Sequence, residues 1–302
     1  MKKALPEFTL QNVAPPYETY DYFQHGAHYP FRPAARKFDL INAWWLSEAA
    51  TLAYADEPFA RPRFEQAGFS EVRYFSGNST DCFVVNNAAC IWVVFRGTEI
   101  RKRPNTDDYE HILADIKADC NILPLPIQEG GGTVHKGFHA ALDEVWQELY
   151  ASIDSLHAGG RTLWFTGHSL GAALATLAAA RYGRADGVYT FGSPRVGDAI
   201  FRDHYPAPIY RVVNGHDVVT TVPLPPLYRH VGELWYINST GTLRHNTRHR
   251  DLVTDGIAGE AQNIAESFRQ MGQGKFLYIP GGFKDHIPLL YAIHLWNNLV
   301  SE

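Results

Sequence analysis

Apolar positions recur along the chain with two different spacings, and the two spacings alternate. Between 38 and 55 they repeat at the three-to-four-residue interval of a helix, whereas β-branched and aromatic residues form two short runs between 81 and 95. Further strand patterns occupy 162–166, 188–191 and 209–213, and helical patterns occupy 138–153 and 170–182. Strands that alternate with helices predict an α/β fold, in which helices cover both faces of a mostly parallel sheet.

A Gly-x-Ser-x-Gly motif lies between a predicted strand and a predicted helix. It reads Gly167-His168-Ser169-Leu170-Gly171 and is followed by an alanine-rich helical run. A sharp strand-to-helix turn exposes the serine, and the flanking glycines let neighbouring elements approach closely. The motif therefore predicts that Ser169 is a nucleophile. We interpret His168 as a buried, hydrogen-bonded histidine.

A serine hydroxyl needs a base to accept its proton, and that base needs a carboxylate to orient it. In α/β-hydrolases, which carry this motif, the acid and then the base follow the serine along the chain. Asp217 comes soon after the strand pattern at 209–213 and is the preferred acid. His286 is the preferred base, because Asp285 as N-cap and Pro288 in the first turn predict a helix that starts beside it.

Other acids and histidines have weaker claims to these roles. The alternative acids lie on either side of the preceding strand pattern: Asp186, Asp198 and Asp203. His294 is about 12 Å along the same helical run from the predicted base, so it is expected to be a packed helix residue. His230 stays open as an alternative base, although a structural role near the acid is preferred.

Several motifs between about 88 and 296 resemble those of the class 3 lipases, the fungal-lipase-like branch of the α/β-hydrolases. Val-Phe-Arg-Gly-Thr at 94–98 resembles the family's oxyanion segment, and Val-His-Lys-Gly-Phe at 134–138 resembles a helix start. Phe-Gly-Ser-Pro-Arg-Val-Gly-Asp at 191–198 resembles the strand that follows the elbow helix. Asp217 and His286 occupy the positions of the family's catalytic acid and base. The resemblance implies an α/β-hydrolase fold and a serine hydrolase.

The resemblance also implies which groups bind the oxyanion. The Thr98 amide and hydroxyl and the Leu170 amide would face the oxygen that gains charge in the tetrahedral intermediate, where loss of one donor typically costs about 10²–10³ in rate. The family's Asn after Pro-Arg-Val-Gly is Asp198 in this sequence, so the structural hydrogen bonds of that side chain are in question.

Between Thr98 and His135 the chain is longer and more polar than in the compact fungal enzymes, and it includes a lid-like segment at about 99–119. Tyr109, Ile112, Leu113 and Ile116 fall at i, i+3, i+4 and i+7, which predicts an amphipathic helix. The resemblance places a lid in this stretch. An ordinary helix packed on the core is the alternative.

Charge and hydropathy exclude several classes of protein. Lys+Arg 27 against Asp+Glu 32 gives a net charge of −5 with no long basic block, so we expect no nucleic-acid partner. No apolar run approaches the roughly 20 residues of a membrane-spanning helix, and the start Met1-Lys2-Lys3 is followed by Pro6 and Glu7 rather than an apolar stretch. Without a visible signal peptide, the expected location is cytoplasmic, or the chain is a processed or non-classically secreted form.

No metal site, cofactor or disulfide is predicted. Cys82 and Cys90 flank a hairpin whose loop puts them diagonally apart on opposite faces of the sheet, and Cys120 leaves an odd number. His245-x-x-x-His249 has no further ligands and is interpreted as a solvated loop. A serine activated by protein groups needs no cofactor.

The aromatic residues are concentrated at the start of the chain. Ten of the 40 lie within residues 1–45. We predict a single domain over 1–302 with an aromatic-rich N-terminal extension at about 1–35. Its aromatic residues are Tyr17, Tyr20, Tyr22, Phe23, Tyr29 and Phe31. The preferred role of this extension is hydrophobic cover for the sheet, and the alternative is a wall of the acyl pocket.

The expected function is that of a serine carboxylester hydrolase, most simply a triacylglycerol lipase or esterase. Its substrate would be an acylglycerol or another ester, met in transient contact with a lipid interface. Phospholipase A1 and feruloyl esterase share the same motifs and stay open as alternatives. A lipase-like binding module without catalysis is the alternative from a different class.

Overall fold

A computed structural model describes residues 1–7, 14–98, 123–128, 131–245, 247, 254–255, 259 and 281–301. Strands within these ranges are β1 (Glu71–Ser76), β2 (Asp81–Asn86), β3 (Cys90–Phe95), β4 (Pro124–Pro126), β5 (Thr133–His135), β6 (Thr162–His168), β7 (Gly187–Phe191), β8 (Ile209–Asn214), β9 (Glu233–Ile237) and β10 (Leu243–His245). The α-helices are α1 (Leu40–Leu52), α2 (Glu57–Gln66), α3 (Lys136–His157), α4 (Leu170–Tyr182), α5 (Ala199–Asp203), α6 (Gly281–Lys284) and α7 (Pro288–Leu299), and short 3₁₀ helices span Gly26–His28 and Val218–Thr221.

The central sheet has the order β1-β2-β3-β6-β7-β8-β9-β10. Strands β3, β6, β7, β8 and β9 are parallel, whereas β1, β2 and β10 pair antiparallel at the two edges. The short strands β4 and β5 form a separate antiparallel pair. This arrangement confirms the predicted mostly parallel α/β sheet.

Local capping explains where the predicted helices begin. The Asp39 carboxylate accepts a hydrogen bond from the Asn42 amide, so α1 starts at Leu40 rather than at 38. At the start of α3, the His135 ring accepts a hydrogen bond from the Phe138 amide, so this helix begins two residues earlier than the apolar spacing indicated. The helices predicted at 38–55, 138–153 and 170–182 are confirmed, and the ends of the first two differ from the prediction.

The two faces of the sheet bury two separate cores. Alternate strand residues point to opposite faces, so Trp92 and Val94 join α1, α2 and α7, whereas Ile91 and Val93 join α3 and α4. Cys82 and Cys90 are free thiols and lie in different cores, as the hairpin prediction required. Cys120 lies outside the described residues.

The N-terminal aromatic residues pack on the face that carries α1. The Phe31 ring meets Trp92 and Trp164 edge-on at 4.7 and 5.6 Å, and Phe23 stacks on Trp45 at 5.1 Å. Such contacts add to the free energy of burial itself. The described part of the extension therefore covers the sheet. Whether it also forms a wall of an acyl pocket stays a prediction.

A buried carboxylate connects this extension to α1. Glu48 is fully buried and accepts hydrogen bonds from the Tyr20 hydroxyl at 2.7 Å and from the Trp44 indole at 3.0 Å. The Phe23 amide donates to its second oxygen at 3.3 Å, and the Lys3 ammonium lies 3.6 Å away. A carboxyl group that is buried away from water needs such hydrogen-bond donors. Most of the groups that satisfy Glu48 come from the extension.

Candidate active site

Ser169 sits on a strained turn between β6 and α4. Its backbone has φ 59° and ψ −127°, a region in which a residue with a side chain typically costs about 1–3 kcal/mol. The Ser169 amide donates to the Phe191 carbonyl at 3.0 Å, and Leu170 begins α4 directly afterwards. The neighbouring strand and helix therefore hold the serine in its unusual conformation.

The two glycines of the motif provide close approach, as predicted. A Cβ on Gly167 would lie 2.3 Å from the Gly171 carbonyl, and a Cβ on Gly171 would lie 2.4 Å from the Phe95 carbonyl oxygen. These atoms belong to the backbone and cannot move aside easily. Helix α4 thus packs directly on the ends of β6 and β3.

The structure brings Ser169, His286 and Asp217 into one hydrogen-bonded row. His286 Nε2 lies 2.9 Å from Ser169 Oγ, and His286 Nδ1 lies 2.8 and 2.9 Å from the two carboxylate oxygens of Asp217. Asp217 is completely buried, whereas the His286 side chain keeps 14% of its surface exposed. Three residues that are far apart in the sequence thus meet at the carboxyl ends of β6 and β8.

The protonation of the imidazole follows from its partners. A carboxylate only accepts hydrogen bonds, so Nδ1 of His286 must carry the proton that it donates to Asp217. Nε2 is then the free acceptor and faces the Ser169 hydroxyl. This is the tautomer in which a histidine can remove the proton of a serine.

Two further donors orient the Asp217 carboxylate. The Val219 amide donates to Oδ1 at 2.9 Å, and the Tyr291 hydroxyl donates to Oδ2 at 2.5 Å. Tyr291 in turn accepts a hydrogen bond from the Asn214 amide at 3.1 Å. Burial, and then the negative charge of Asp217, raises the pKa of the Tyr291 hydroxyl, so it remains a donor. Sequence reasoning missed Tyr291, because a tyrosine five residues after the base matches no motif.

Gly192 leaves the space that Asp217 and His286 occupy. Its φ is +59°, and a Cβ at this position would lie 2.6 Å from Asp217 Oδ2 and 3.0 Å from His286 Nδ1. Any other residue would therefore push against the contact between these two side chains. The one sequence signal for this glycine is its place directly after strand β7.

The predicted cap of the helix that follows His286 is wrong. Helix α7 begins at Pro288 with Ile287 as N-cap, and no side chain caps it. The Asp285 carboxylate instead accepts a hydrogen bond from the His216 amide at 2.6 Å. Asp285 therefore ties the segment before α7 to the loop that carries Asp217, which a local capping rule could not reveal.

His168 is buried beside the base, as a hydrogen-bonded histidine. Its Nδ1 lies 2.7 Å from the Tyr54 hydroxyl, and its ring centroid lies 4.5 Å from that of His286. Burial lowers the pKa of His168 well below its usual value, and the neighbouring His286 lowers it further. The Tyr54 hydroxyl fills the space beside Gly97, where a Cβ would lie 1.9 Å from it.

Thr98 and Leu170, the predicted oxyanion donors, follow neighbouring strands. Phe95 at the end of β3 pairs with Gly167 in β6, so both residues lie at the carboxyl edge of the sheet near Ser169. Leu170 is the first residue of α4, and the amides of a first helical turn point outward without partners within the helix. Their part in binding an oxyanion remains a prediction.

The alternative residues have other partners. His230 Nε2 contacts the Thr220 carbonyl at 2.8 Å, and burial lowers the pKa of His294 to about 4. Asp198 caps α5 by accepting from the Phe201 amide, and it also binds the Thr133 amide and hydroxyl. Asp186 and Asp203 form ion pairs with Arg36 and Arg202. Asp198 thus makes structural hydrogen bonds of the kind that its departure from the family pattern had put in question.

Several predictions fall on parts of the chain that the structure does not describe. The lid-like segment at 99–119 lies outside the described residues, and so does most of the polar stretch 238–285, which joins Asp217 to His286 along the chain. His245 is described and stacks on Trp235, whereas His249 is not. Among the described residues, no three metal-ligating side chains cluster, and no helix there is long and apolar enough to cross a membrane.

Comparison with known proteins gives matches in one family. The family model "Lipase (class 3)" matches residues 92–226. The secreted mono- and diacylglycerol lipase 1 of Fusarium solani is 39% identical over 42% of this chain and 41% of its own length. The lipase of Rhizomucor miehei is 33% identical over 51% of this chain and 44% of its own length. The chain thus spans less than half the length of these curated relatives.

Solved structures agree with the fold. A triacylglycerol lipase described as having a serine protease triad superposes with a TM-score of 0.53 at 24% identity, covering 67% of this chain and 81% of that one. A mutant of MDLA from Penicillium cyclopium superposes with a TM-score of 0.55 at 19% identity, covering 83% and 95%. The sheet and helices of this chain thus have the α/β-hydrolase fold of these solved lipases, and residues 92–226 are similar to the class 3 lipase family.

Proposed function

We propose that the protein is a serine carboxylester hydrolase that acts on acylglycerols through an acyl-enzyme on Ser169. The observation that carries this proposal is the row of contacts from Ser169 Oγ through the His286 ring to Asp217. A serine becomes a competent nucleophile only when a base can accept its proton and a carboxylate fixes that base. Curated relatives named mono- and diacylglycerol lipase and lipase support the choice of acylglycerol substrates.

In the proposed reaction, His286 Nε2 takes the proton of the Ser169 hydroxyl while Oγ attacks the ester carbonyl carbon. The carbonyl π electrons move to the oxygen, and the Thr98 and Leu170 donors stabilise that charge. The intermediate collapses, the C–O bond to the alcohol breaks, and the leaving oxygen takes the proton from His286. Water then repeats these steps on the acyl-enzyme and releases the acid. Asp217 stays ionised and stabilises the imidazolium.

Replacement of the nucleophile tests this mechanism. Ser169→Ala should lower kcat for a p-nitrophenyl ester by about 10⁶, because removal of one member of a coupled triad removes most of the acceleration. A p-nitrophenyl alkylphosphonate should add one phosphonyl group to the wild-type protein and none to this variant, as measured by intact mass. As a control, Ser155→Ala, on the last turns of α3, should leave both readouts unchanged. Full activity or labelling of Ser169→Ala would refute the assignment.

The substrate class needs its own measurement. Activity on p-nitrophenyl esters from acetate to palmitate, with and without an emulsion, should favour longer chains and the interface if the protein is a lipase.

Phospholipase A1 is the second candidate, because a chloroplastic phospholipase A(1) of Arabidopsis thaliana is 40% identical over 29% of this chain and 22% of its own length. Faster release of fatty acid from phosphatidylcholine than from diacylglycerol would favour that candidate. Absence of turnover on every ester would favour a binding module.

A further inference from the structure

A cleft of about 390 Å³ opens at the amino-terminal edge of the sheet. Its walls include the aromatic residues Phe31, Trp45, Phe69 and Trp92. Strand β3 begins here, and its first residue pairs with the first residue of β6, whereas Ser169 follows the opposite end of β6. One strand of six or seven residues, roughly 20 Å, thus separates the cleft from the triad. The cleft therefore takes no part in the proposed ester hydrolysis.

The aromatic walls are fixed by contacts with one another. Phe69 and Phe31 meet the Trp92 ring edge-on at 4.4 and 4.7 Å. Trp45 is held by its indole N–H, which donates to the Tyr29 carbonyl at 2.6 Å. Sites for small molecules are typically preformed, largely apolar and about 300–1,000 Å³ in volume. The cleft falls within this range of volume, and its aromatic walls suit an apolar group such as an alkyl chain.

A polar corner adds one positive charge to the cleft. Arg63 lies on α2 and lines the cleft, its guanidinium packs over the Phe59 ring, and one N–H donates to the Phe59 carbonyl. No carboxylate of the described chain forms an ion pair with Arg63, whereas Arg61 on the same helix pairs with Glu57. Arg63 is thus a cation beside an apolar slot with donors to spare.

Tyr22 provides a second donor in this corner. Its hydroxyl is buried, and none of the described residues accepts a hydrogen bond from it. Tyr22 and Arg63 both line this cleft, and burial, followed by the charge of Glu48, raises the pKa of Tyr22, so its hydroxyl stays a donor. The Glu48 carboxylate itself is fully buried and already bound by its own donors. A buried hydrogen-bond donor without an acceptor costs free energy, and a ligand that provides an acceptor removes this cost.

We propose that this cleft binds the carboxylate form of a medium-chain fatty acid, with the alkyl chain along the aromatic walls and the carboxylate on Arg63 and Tyr22. An anion with an unbranched apolar tail matches both the slot and its charged corner. Fatty acids are also the product class of the proposed hydrolysis, but binding at this distance from Ser169 does not depend on that reaction.

Titration calorimetry of decanoate and 1-decanol, each below its aggregation concentration, tests the head-group contact. Arg63→Gln should weaken decanoate binding about tenfold, because it removes a charge-assisted hydrogen bond, and should leave decanol binding unchanged. Arg61→Gln is the matched control on the same helix and should bind both ligands like the wild type. Equal loss of both ligands in Arg63→Gln, or no loss of either, would overturn the assignment of the carboxylate to this corner.

Filling the cleft with a larger side chain tests where the alkyl chain of the ligand lies. Ala27 is exposed and lines the cleft, so Ala27→Trp should fill it and weaken decanoate and decanol alike by tenfold or more. Ala151→Trp, on an exposed position of α3, is the control and should change neither affinity. Octanoate should bind about tenfold more weakly than decanoate, because two fewer CH₂ groups are buried. Decanoate binding that survives Ala27→Trp unchanged belongs to another site and would refute the proposal.

The same titrations in a Ser169→Ala background keep this proposal separate from the catalytic one. Binding that is sensitive to Arg63 and Ala27 in a protein without the serine supports the cleft, whatever the ester assays show. Loss of ester turnover together with retained decanoate binding is the expected result, and it supports both the catalytic proposal and the proposal for the cleft. Loss of binding in Ser169→Ala itself would refute a site that is independent of the triad.

Discussion

At the scale of single residues, the site depends on side chains that the motifs do not include. Ser169, Asp217 and His286 are recognisable because their chemistry and order follow a known pattern. Tyr291 and Tyr54 contact Asp217 and His168 across 74 and 114 positions of sequence. No local spacing relates such pairs, so neither tyrosine could be assigned to the site from the sequence.

Tyr291→Phe should lower kcat about 10- to 100-fold and leave KM nearly unchanged. The Asp217 carboxylate would lose a short donor and with it part of its fixed orientation, at the typical cost of a hydrogen bond to a charge. The less stabilised carboxylate should also hold the imidazolium more strongly, so the acidic limb of the pH–rate profile should move to higher pH.

Tyr189→Phe is the matched control for this variant. Tyr189 is also fully buried, and its hydroxyl accepts from the Asp39 amide at 2.9 Å without touching the triad. Its loss should reduce stability to a similar extent and leave kcat and the pH profile in place. If both variants behave alike in kcat, Tyr291 has only a structural role.

At the scale of elements, prediction succeeded where one element determines its own pattern. Strand β3 is apolar at every position, β6 contains an apolar run at its centre, and α4 is rich in alanine, so the type and place of these elements could be predicted from the sequence. The start of α7 was not, because the carboxylate of Asp285 binds the His216 amide on another element. Helix ends depend on such distant partners more than helix interiors do.

Gly171→Ala should destabilise the protein by about 2 kcal/mol and lower activity at least 100-fold. The added methyl would lie 2.4 Å from the Phe95 carbonyl oxygen, so α4 must move away from β3. That movement would displace the Leu170 amide from its proposed position facing the substrate oxygen. Urea unfolding and ester kinetics measure the two effects.

Gly159→Ala serves as the control for this substitution. Its nearest neighbours are atoms of the flexible Arg161 side chain at 3.3 and 3.4 Å. Unfolding free energy should stay within about 0.5 kcal/mol of the wild type, with full activity. A Gly171→Ala protein that also retains both properties would show that the contact between α4 and β3 tolerates a methyl group.

At the scale of the whole molecule, buried histidines should make stability fall in mild acid. Burial lowers the pKa of His135 and of His294 to about 4, and it lowers those of His168 and His230 well below their usual value. These rings stay neutral in the fold, whereas the unfolded chain takes up their protons below about pH 6.5. The stabilisation is therefore complete above that pH and is lost as the pH falls towards 4.

Urea unfolding between pH 7.5 and 4.5 should reveal this loss. Each buried histidine should lower the free energy of unfolding by about 1 kcal/mol per pH unit below pH 6.5. His294→Gln should therefore reduce the slope of the unfolding free energy against pH by one such contribution. His28→Gln, an exposed position, should leave the slope as it is. A stability that is flat across this range would contradict the burial of these rings as neutral groups.

The buried Glu48 has an evolutionary consequence. Its carboxyl group is satisfied mainly by Tyr20, the Phe23 amide and Lys3, so a chain that lost this extension would retain a buried carboxyl group with Trp44 as its chief donor. A buried polar group without its partners is strongly destabilising, whereas an apolar residue in its place is tolerated. Position 48 and the N-terminal extension should therefore covary. Relatives that lack the extension should carry an apolar residue at this turn of the helix, and those that keep it should keep the acid.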